Sequence, residues 1–208
     1  ACATCHDPNY AFAQPTRVSR SDNGQLGLRN APSLINTGFL PVLMWDGRFR
    51  TLEQQATSPF LRGEMGIDIR EAERRLNSDA EYLHLFQAAL NSRPSASGMA
   101  IALAAYQRTL LAGDSPFDRW YYAGDAGAMP AAARRGFEVF RAQGCDRCHL
   151  VGTTSSLFTD HGFHNVGVAW RSQARQRQDQ PVQLVPGEDK DAFLARLATA
   201  QPVAREGE

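Results

Sequence analysis

Apolar positions recur at helical spacing in five stretches of this chain. Residues 67–76 and 80–90 carry two of them, divided near Asn77-Ser78. Residues 98–111 form a stronger one, in which Met99, Leu103, Tyr106 and Leu110 share a stripe expected to face a core. Residues 130–141 open on Pro130, which a first helical turn tolerates, and offer Phe137, Val139 and Phe140 for burial. Gly144 reads as the stop of that helix, and residues 189–200 make the fifth. The connecting stretches are rich in turn formers. Residues 7–33 read as one long loop, residues 36–55 mix turns with short apolar runs, and residues 113–130 read as a linker. The polar segment 171–183 reads as a surface loop without chemistry. Strand signals are sparse, so the expected fold class is all-α.

Composition narrows the function. The 208 residues are 43% hydrophobic and 21% charged, which fits a globular protein and excludes disorder as the main state. The 22 basic and 22 acidic residues cancel, and no polybasic run argues for nucleic acid. No apolar run approaches the ~20 residues of a membrane span. The four cysteines occupy two identical frames, Cys2-Ala3-Thr4-Cys5-His6 and Cys145-Asp146-Arg147-Cys148-His149. Cys-x-x-Cys-His is the attachment frame of c-type haem. Its thiols lie one helical turn apart, where they can add to the two vinyl groups of one porphyrin, and the following His is placed to ligate iron. The expectation is two covalently bound c-type haems. Cys2, Cys5, Cys145 and Cys148 are the thioether anchors, and His6 and His149 the iron ligands. A disulfide framework fits poorly, because both frames end in His. A zinc site of four Cys and two His lacks finger-like spacing. Two frames predict two cytochrome c-like haem domains with long loops, residues 1–113 and an incomplete 114–208. Such haems are attached outside the bacterial cytoplasm, so the expected location is periplasmic, and the lack of a leader reads as processing.

Further residues carry a resemblance. Cys5 to Pro8, Leu28-Arg29-Asn30-Ala31-Pro32-Ser33-Leu34, Met44-Trp45-Asp46-Gly47-Arg48, Leu52 to Pro59 and Glu64-Met65 follow one another in order. Gln107 to Leu110, Ser115 to Arg119, Thr159-Asp160 and Phe163 to Gly167 continue the series. Together they resemble the bacterial di-haem cytochrome c peroxidases and the related MauG-type enzymes. The resemblance implies that the first frame's haem binds peroxide and the second's transfers electrons. It implies that Trp45 lies between the haems, that Glu64 is the acid/base beside the peroxide, that Gln55 lines the same pocket, and that Asn30 ligates a calcium ion. Without the resemblance, Trp45 reads as a core anchor, Asn30 as a turn residue, Gln55 as a helix polar residue and Glu64 as a solvated acid. Arg48 has Asp46 or a haem propionate as partner. Trp120, Tyr121 and Tyr122 read as packing aromatics.

Two departures from the family pattern bear on function. Family members that need reductive activation usually carry a His eight residues before the Asn of the Leu-Arg-Asn motif. Asp22 stands there, and no His lies between His6 and His84. The first haem is then expected to be open on its distal side, high-spin when ferric, and reactive with peroxide without prior reduction. The family also continues past this chain's end, into the part carrying a Thr-x-Pro calcium motif and the second haem's distal ligand, so the chain reads as truncated. Residues 59–64 are one residue shorter than the usual pattern, which displaces Glu64 slightly. The expected function is a periplasmic di-haem oxidoreductase that reacts with hydrogen peroxide, with MauG-like oxidation of a partner protein residue favoured. The alternative is a peroxidase drawing electrons from a small cytochrome c or cupredoxin. A non-catalytic di-haem electron carrier, or a zinc-bound structural protein, would leave Gln55 and Glu64 without a role.

Overall fold

The computed structural model describes residues 2–21, 24–27, 29–61 and 65–167. Glu64, Asp22, the 171–183 segment and the helix expected over 189–200 lie outside the described residues. Residues Ala1–Gly162 form one compact unit, which contains both cysteine frames, and Phe163–Glu208 form another.

Helices dominate. In chain order they are α1 (Cys2–Cys5), α2 (Leu52–Ala56), α3 (Ser58–Leu61), α4 (Ile69–Asn77), α5 (Ala80–Leu90), α6 (Ala96–Thr109), α7 (Pro116–Tyr121) and α8 (Ala131–Ala142). The only extended pairing among the described residues is three isolated antiparallel bridges, Asp7–Ala13, Arg20–Leu26 and Leu43–Phe49. The all-α expectation therefore holds for the described residues. Short oxygen-bearing side chains start most of the longer helices. Asp68 accepts from the Glu71 amide, Asp79 from those of Glu81 and Tyr82, and Ser95 from that of Gly98, each satisfying an N–H that the helix leaves unpaired.

The core of the first half is the seam between α2 and α6. Leu43, Leu52 and Ala104 are buried there, with Leu40 and Phe49 packed against them. Arg108 of α6 reaches Glu53 of α2 at 2.6 Å and ties the two helices at the rim. The buried positions of α6 are Gly98, Met99, Ala100, Ala104 and Gln107, while Tyr106 is 53% exposed. Of the expected stripe Met99 is buried and Leu103 and Leu110 are half-buried, and the buried face is rotated away from Tyr106. Small side chains let a neighbouring helix come close, so packing selects the alanine face over the bulkiest one. Gly98 marks a close approach to α5: a Cβ there would sit 2.9 Å from the Phe86 ring.

The segment read as a linker contains α7. Ser115 and Asp118 form a reciprocal capping box, with Ser115 Oγ accepting from the Asp118 amide at 3.1 Å and Asp118 Oδ2 accepting from the Ser115 amide at 2.8 Å. Pro116 occupies the first turn. α7 packs its aromatics against Phe137 and Phe158. Phe137 and Phe140 of α8 join this cluster, but Val139 is 59% exposed, because it sits on the opposite side of the helix. After Ala142 the chain turns through Gly144 at φ 71°, a left-handed conformation that suits glycine.

Candidate functional site

The two cysteine frames fold into the same local shape. In the first, α1 spans Cys2–Cys5 and the His6 amide donates to the Cys2 carbonyl at 2.9 Å. In the second, a 3-10 turn spans Cys145–Arg147 and the His149 amide donates to the Cys145 carbonyl at 3.0 Å. Each frame thus winds its two cysteines and its histidine into a single turn. None of the four cysteines is in a disulfide. Both frames therefore offer the thiols and imidazole that covalent haem attachment uses.

Each imidazole is fixed in the same way. His6 Nδ1 donates to the Phe12 carbonyl at 2.9 Å, and His149 Nδ1 donates to the Phe158 carbonyl at 2.9 Å. A carbonyl oxygen can only accept, so Nδ1 carries the proton in both rings. Nε2 is left with its lone pair, the tautomer and polarity that a metal-ligating histidine needs. Both acceptors have backbone in the left-handed region, Phe12 at φ 58° and Phe158 at φ 53°. A bulky residue there is an outlier that persists only where surrounding structure holds it. The chain bends these two carbonyls toward the histidines at the cost of strain. Sequence reasoning missed both, since Phe12 lies six residues after its histidine and Phe158 nine, and no shared spacing marks them.

Trp45 sits in a tight loop closed by the Leu43–Phe49 bridge, with the Leu43 amide bonded to the Phe49 carbonyl at 2.9 Å. Met44 at φ 69° and Gly47 at φ 65° turn the loop. The Trp45 indole N–H donates to the Asn30 backbone carbonyl at 2.8 Å, while 58% of the residue is exposed. It is not the core anchor that an isolated Trp would be. Asp46 bridges Arg29 and Arg48 at 2.8 Å each. Burial pushes the Asp46 carboxyl up, but the hydrogen bonds from the two guanidinium groups outweigh it and hold it below its ordinary value. Arg48 Nε is buried and has no partner among the described residues. A buried cationic N–H left unpaired is costly, and a carboxylate would satisfy it. Haem carries two such groups in its propionates, so this orphan fits the cofactor.

The structure brings Gln55 and Asn30 to the same neighbourhood as Trp45. Gln55 on α2 donates Nε2 to Met44 Sδ at 3.7 Å, one residue before Trp45. Asn30 donates Nδ2 to the carbonyls of Gln14, at 2.8 Å, and Thr16. With its amide nitrogen used, Asn30 keeps Oδ1 as a possible ligand atom, and an oxygen donor of this kind suits calcium. Glu53 neighbours this group on α2, and the hydrogen bond from Arg108 holds its carboxyl below the ordinary value.

Comparison with known proteins identifies a family. Residues 1–127 match the family described as di-haem cytochrome c peroxidase. The chain is 35% identical to the methylamine utilization protein MauG of Methylophilus methylotrophus, a match covering 100% of this chain and 62% of that protein. It is 36% identical to the cytochrome c551 peroxidase of Pseudomonas aeruginosa, covering 72% of this chain and 44% of that one. A crystal structure of a MauG-like protein associated with microbial copper homeostasis superposes with a TM-score of 0.64 at 26% identity, covering 79% of this chain and 50% of that one. The chain thus spans roughly half of the relatives it matches, and no helix among its described residues is long and apolar enough to cross a membrane. With two matching haem frames and a family match over more than half its length, the chain belongs to the di-haem cytochrome c peroxidase family.

Proposed function

We propose that this chain is the catalytic part of a periplasmic di-haem oxidoreductase that reacts with hydrogen peroxide at its first haem site and draws electrons through its second. Residues 1–113 and 114–208 are the two haem domains of this reading. The observation that supports it most is the matched fixing of His6 and His149 by the carbonyls of Phe12 and Phe158. Bound haem supplies the iron redox chemistry that takes two oxidising equivalents from peroxide. Cys2, Cys5, Cys145 and Cys148 would tether it, and Nε2 of His6 and His149 would ligate the iron. Arg48 pairs a propionate through its buried Nε. Lys190 is the chain's single lysine, so arginine carries most such pairing.

The chain's own residues do the rest. Glu64 moves a proton from one peroxide oxygen to the other, which leaves water as the departing group. The Gln55 carboxamide, held through Nε2 by Met44 Sδ, orients groups in the same pocket. Trp45 couples the two haem sites, its ring aimed by the bond from its N–H to Asn30. Asn30 Oδ1 would ligate calcium, so the ion and Trp45 would be held by one residue, the first through its side chain and the second through its backbone carbonyl. With Asp22 at the position of the loop His, that loop would supply no second histidine to the first iron, which would leave it accessible to peroxide.

The favoured outcome is MauG-like oxidation of a residue on a partner protein. The reading as a peroxidase, fed by a small cytochrome c or cupredoxin, is supported by the cytochrome c551 peroxidase relative. Rapid mixing of the haem-loaded ferric protein with peroxide tests the shared step. Glu64→Gln is expected to slow the spectral change by about 10²-fold or more, the scale of general acid–base catalysis. An unchanged rate would remove Glu64 from the mechanism. Brisk steady turnover with reduced cytochrome c would select the peroxidase.

A further inference from the structure

The aromatic cluster of α7 and α8 extends from the surface to the second haem ligand. The His149 ring lies 6.2 Å from Phe140, Phe140 stacks on Phe137 at 5.9 Å, and Phe137 meets Trp120 at 5.6 Å. A second branch leaves Trp120 for Phe117 at 5.9 Å and continues to Phe158 at 4.9 Å. The Phe158 carbonyl is the acceptor that holds His149 Nδ1. Both branches therefore end on the same imidazole, one through ring contact and one through a hydrogen bond.

The outer end is open. Trp120 lines a depression of about 330 Å³ with Ala131, Arg134, Arg135 and Glu138. Arg134 and Arg135 make no ion pair among the described residues, so the mouth carries net positive charge. Phenylalanine rings resist oxidation and serve only as a medium between closely spaced sites. Indole gives up an electron without first losing a proton, whereas a phenol needs a base beside it. Among the described residues the Tyr122 hydroxyl meets Ser156 Oγ, at 2.6 Å, and the Gly152 carbonyl, at 3.0 Å, and neither is a useful base. Trp120 is the oxidisable ring that both faces the basic depression and contacts both branches.

We propose that Trp120 is the surface terminus of an electron relay to the second haem site, serving an anionic one-electron donor that docks at Arg134 and Arg135. The peroxide part of this proposal rests on the function proposed above. Each donor gives one electron through Trp120, and two electrons with two protons reduce one peroxide to two waters. With no donor present, oxidised Trp120 is trapped by water. The indole then gains one oxygen, and the net reaction is indole plus peroxide to hydroxyindole plus water.

The first test needs no peroxide. The reduced holoprotein is mixed with hexachloroiridate(IV), an anionic acceptor that is strong enough to take an electron from indole and becomes hexachloroiridate(III), and the second haem's oxidation is followed. Trp120→Phe, which keeps a ring in the cluster, is expected to slow it tenfold or more with the reduction potential unchanged. Arg134→Ala with Arg135→Ala is expected to slow it and to flatten its dependence on salt. A Trp120→Phe rate equal to wild type overturns the relay. In the second test, holoprotein is exposed to peroxide without donor and its peptides are mapped by mass. A one-oxygen gain on Trp120 is expected, and a Soret change with Trp120 unmodified overturns the proposal. A Soret band that does not respond to peroxide refutes the functional reading instead, and the hexachloroiridate rates then decide the relay alone.

Discussion

Phe12 allows the fixing of His6 to be perturbed without touching the histidine. Its backbone stands at φ 58°, and Ala11 before it at φ 53°, so that the Phe12 carbonyl reaches His6 Nδ1. Phe12→Asn and Phe12→Val both delete the ring and differ mainly in backbone preference. The left-handed region costs an L-residue about 1–2 kcal/mol; Asn relieves part of that cost, whereas a branched Cβ adds to it. The hydrogen bond returns only about 1 kcal/mol. Phe12→Val adds to a strain that already matches the bond, and the carbonyl leaves Nδ1. An imidazole without that acceptor is a weaker donor to ferric iron. Losing about 1 kcal/mol of ferric stabilisation raises the first haem's potential by about 40 mV, at ~59 mV per tenfold for one electron. A potentiometric titration resolves both haems, and the second, with Phe158 intact, is the internal control. The expected pattern is a rise of about 40 mV in Phe12→Val and a much smaller one in Phe12→Asn. Equal shifts in the two variants, or none in either, would refute the role of the carbonyl.

Three further outcomes follow from the same structure. Gly144→Ala places a side chain at φ 71°, 3.1 Å from Arg147 Nε, and is expected to cost about 1–2 kcal/mol in chemical denaturation with the second frame's haem occupancy reduced. The Glu53 carboxyl is held below its ordinary 4.5 by Arg108, so the pair's contribution is complete above pH 4.5 and is lost as pH falls through the lowered value. With side chains 50% and 37% exposed, Arg108→Ala should cost only about 0.5 kcal/mol near neutral pH and should flatten the acid limb of the stability curve. Removing calcium with a chelator should lower the melting temperature of the loaded wild type, and Asn30→Ala should abolish that dependence while Asn30→Asp, which retains an oxygen ligand, should keep part of it.

What could be read from sequence was what local chemistry encodes. The cysteine frames announce themselves by spacing, and α5 falls where its pattern places it, at Ala80–Leu90. α8 begins one residue after Pro130 and ends short of Gly144, as turn preferences require. The face of α6 was not legible, because which residues are buried depends on the partner helix, and α2 demands alanines rather than Tyr106. α7 was hidden by a composition that looks like a linker, although Ser115, Pro116 and Asp118 are a helix-start signal in their own right. Trp45 as an exposed, N–H-anchored ring, and the carbonyls of Phe12 and Phe158, depend on tertiary closure and leave no periodic trace.

The central claim is that the first iron site is open and reacts with peroxide directly. Its most direct measurement is electron paramagnetic resonance of the fully ferric, haem-loaded protein, before and after stoichiometric peroxide and with no reductant added. The account predicts a high-spin ferric signal that disappears on peroxide addition. A spectrum of low-spin, bis-histidine haem only, unchanged by peroxide, would contradict it.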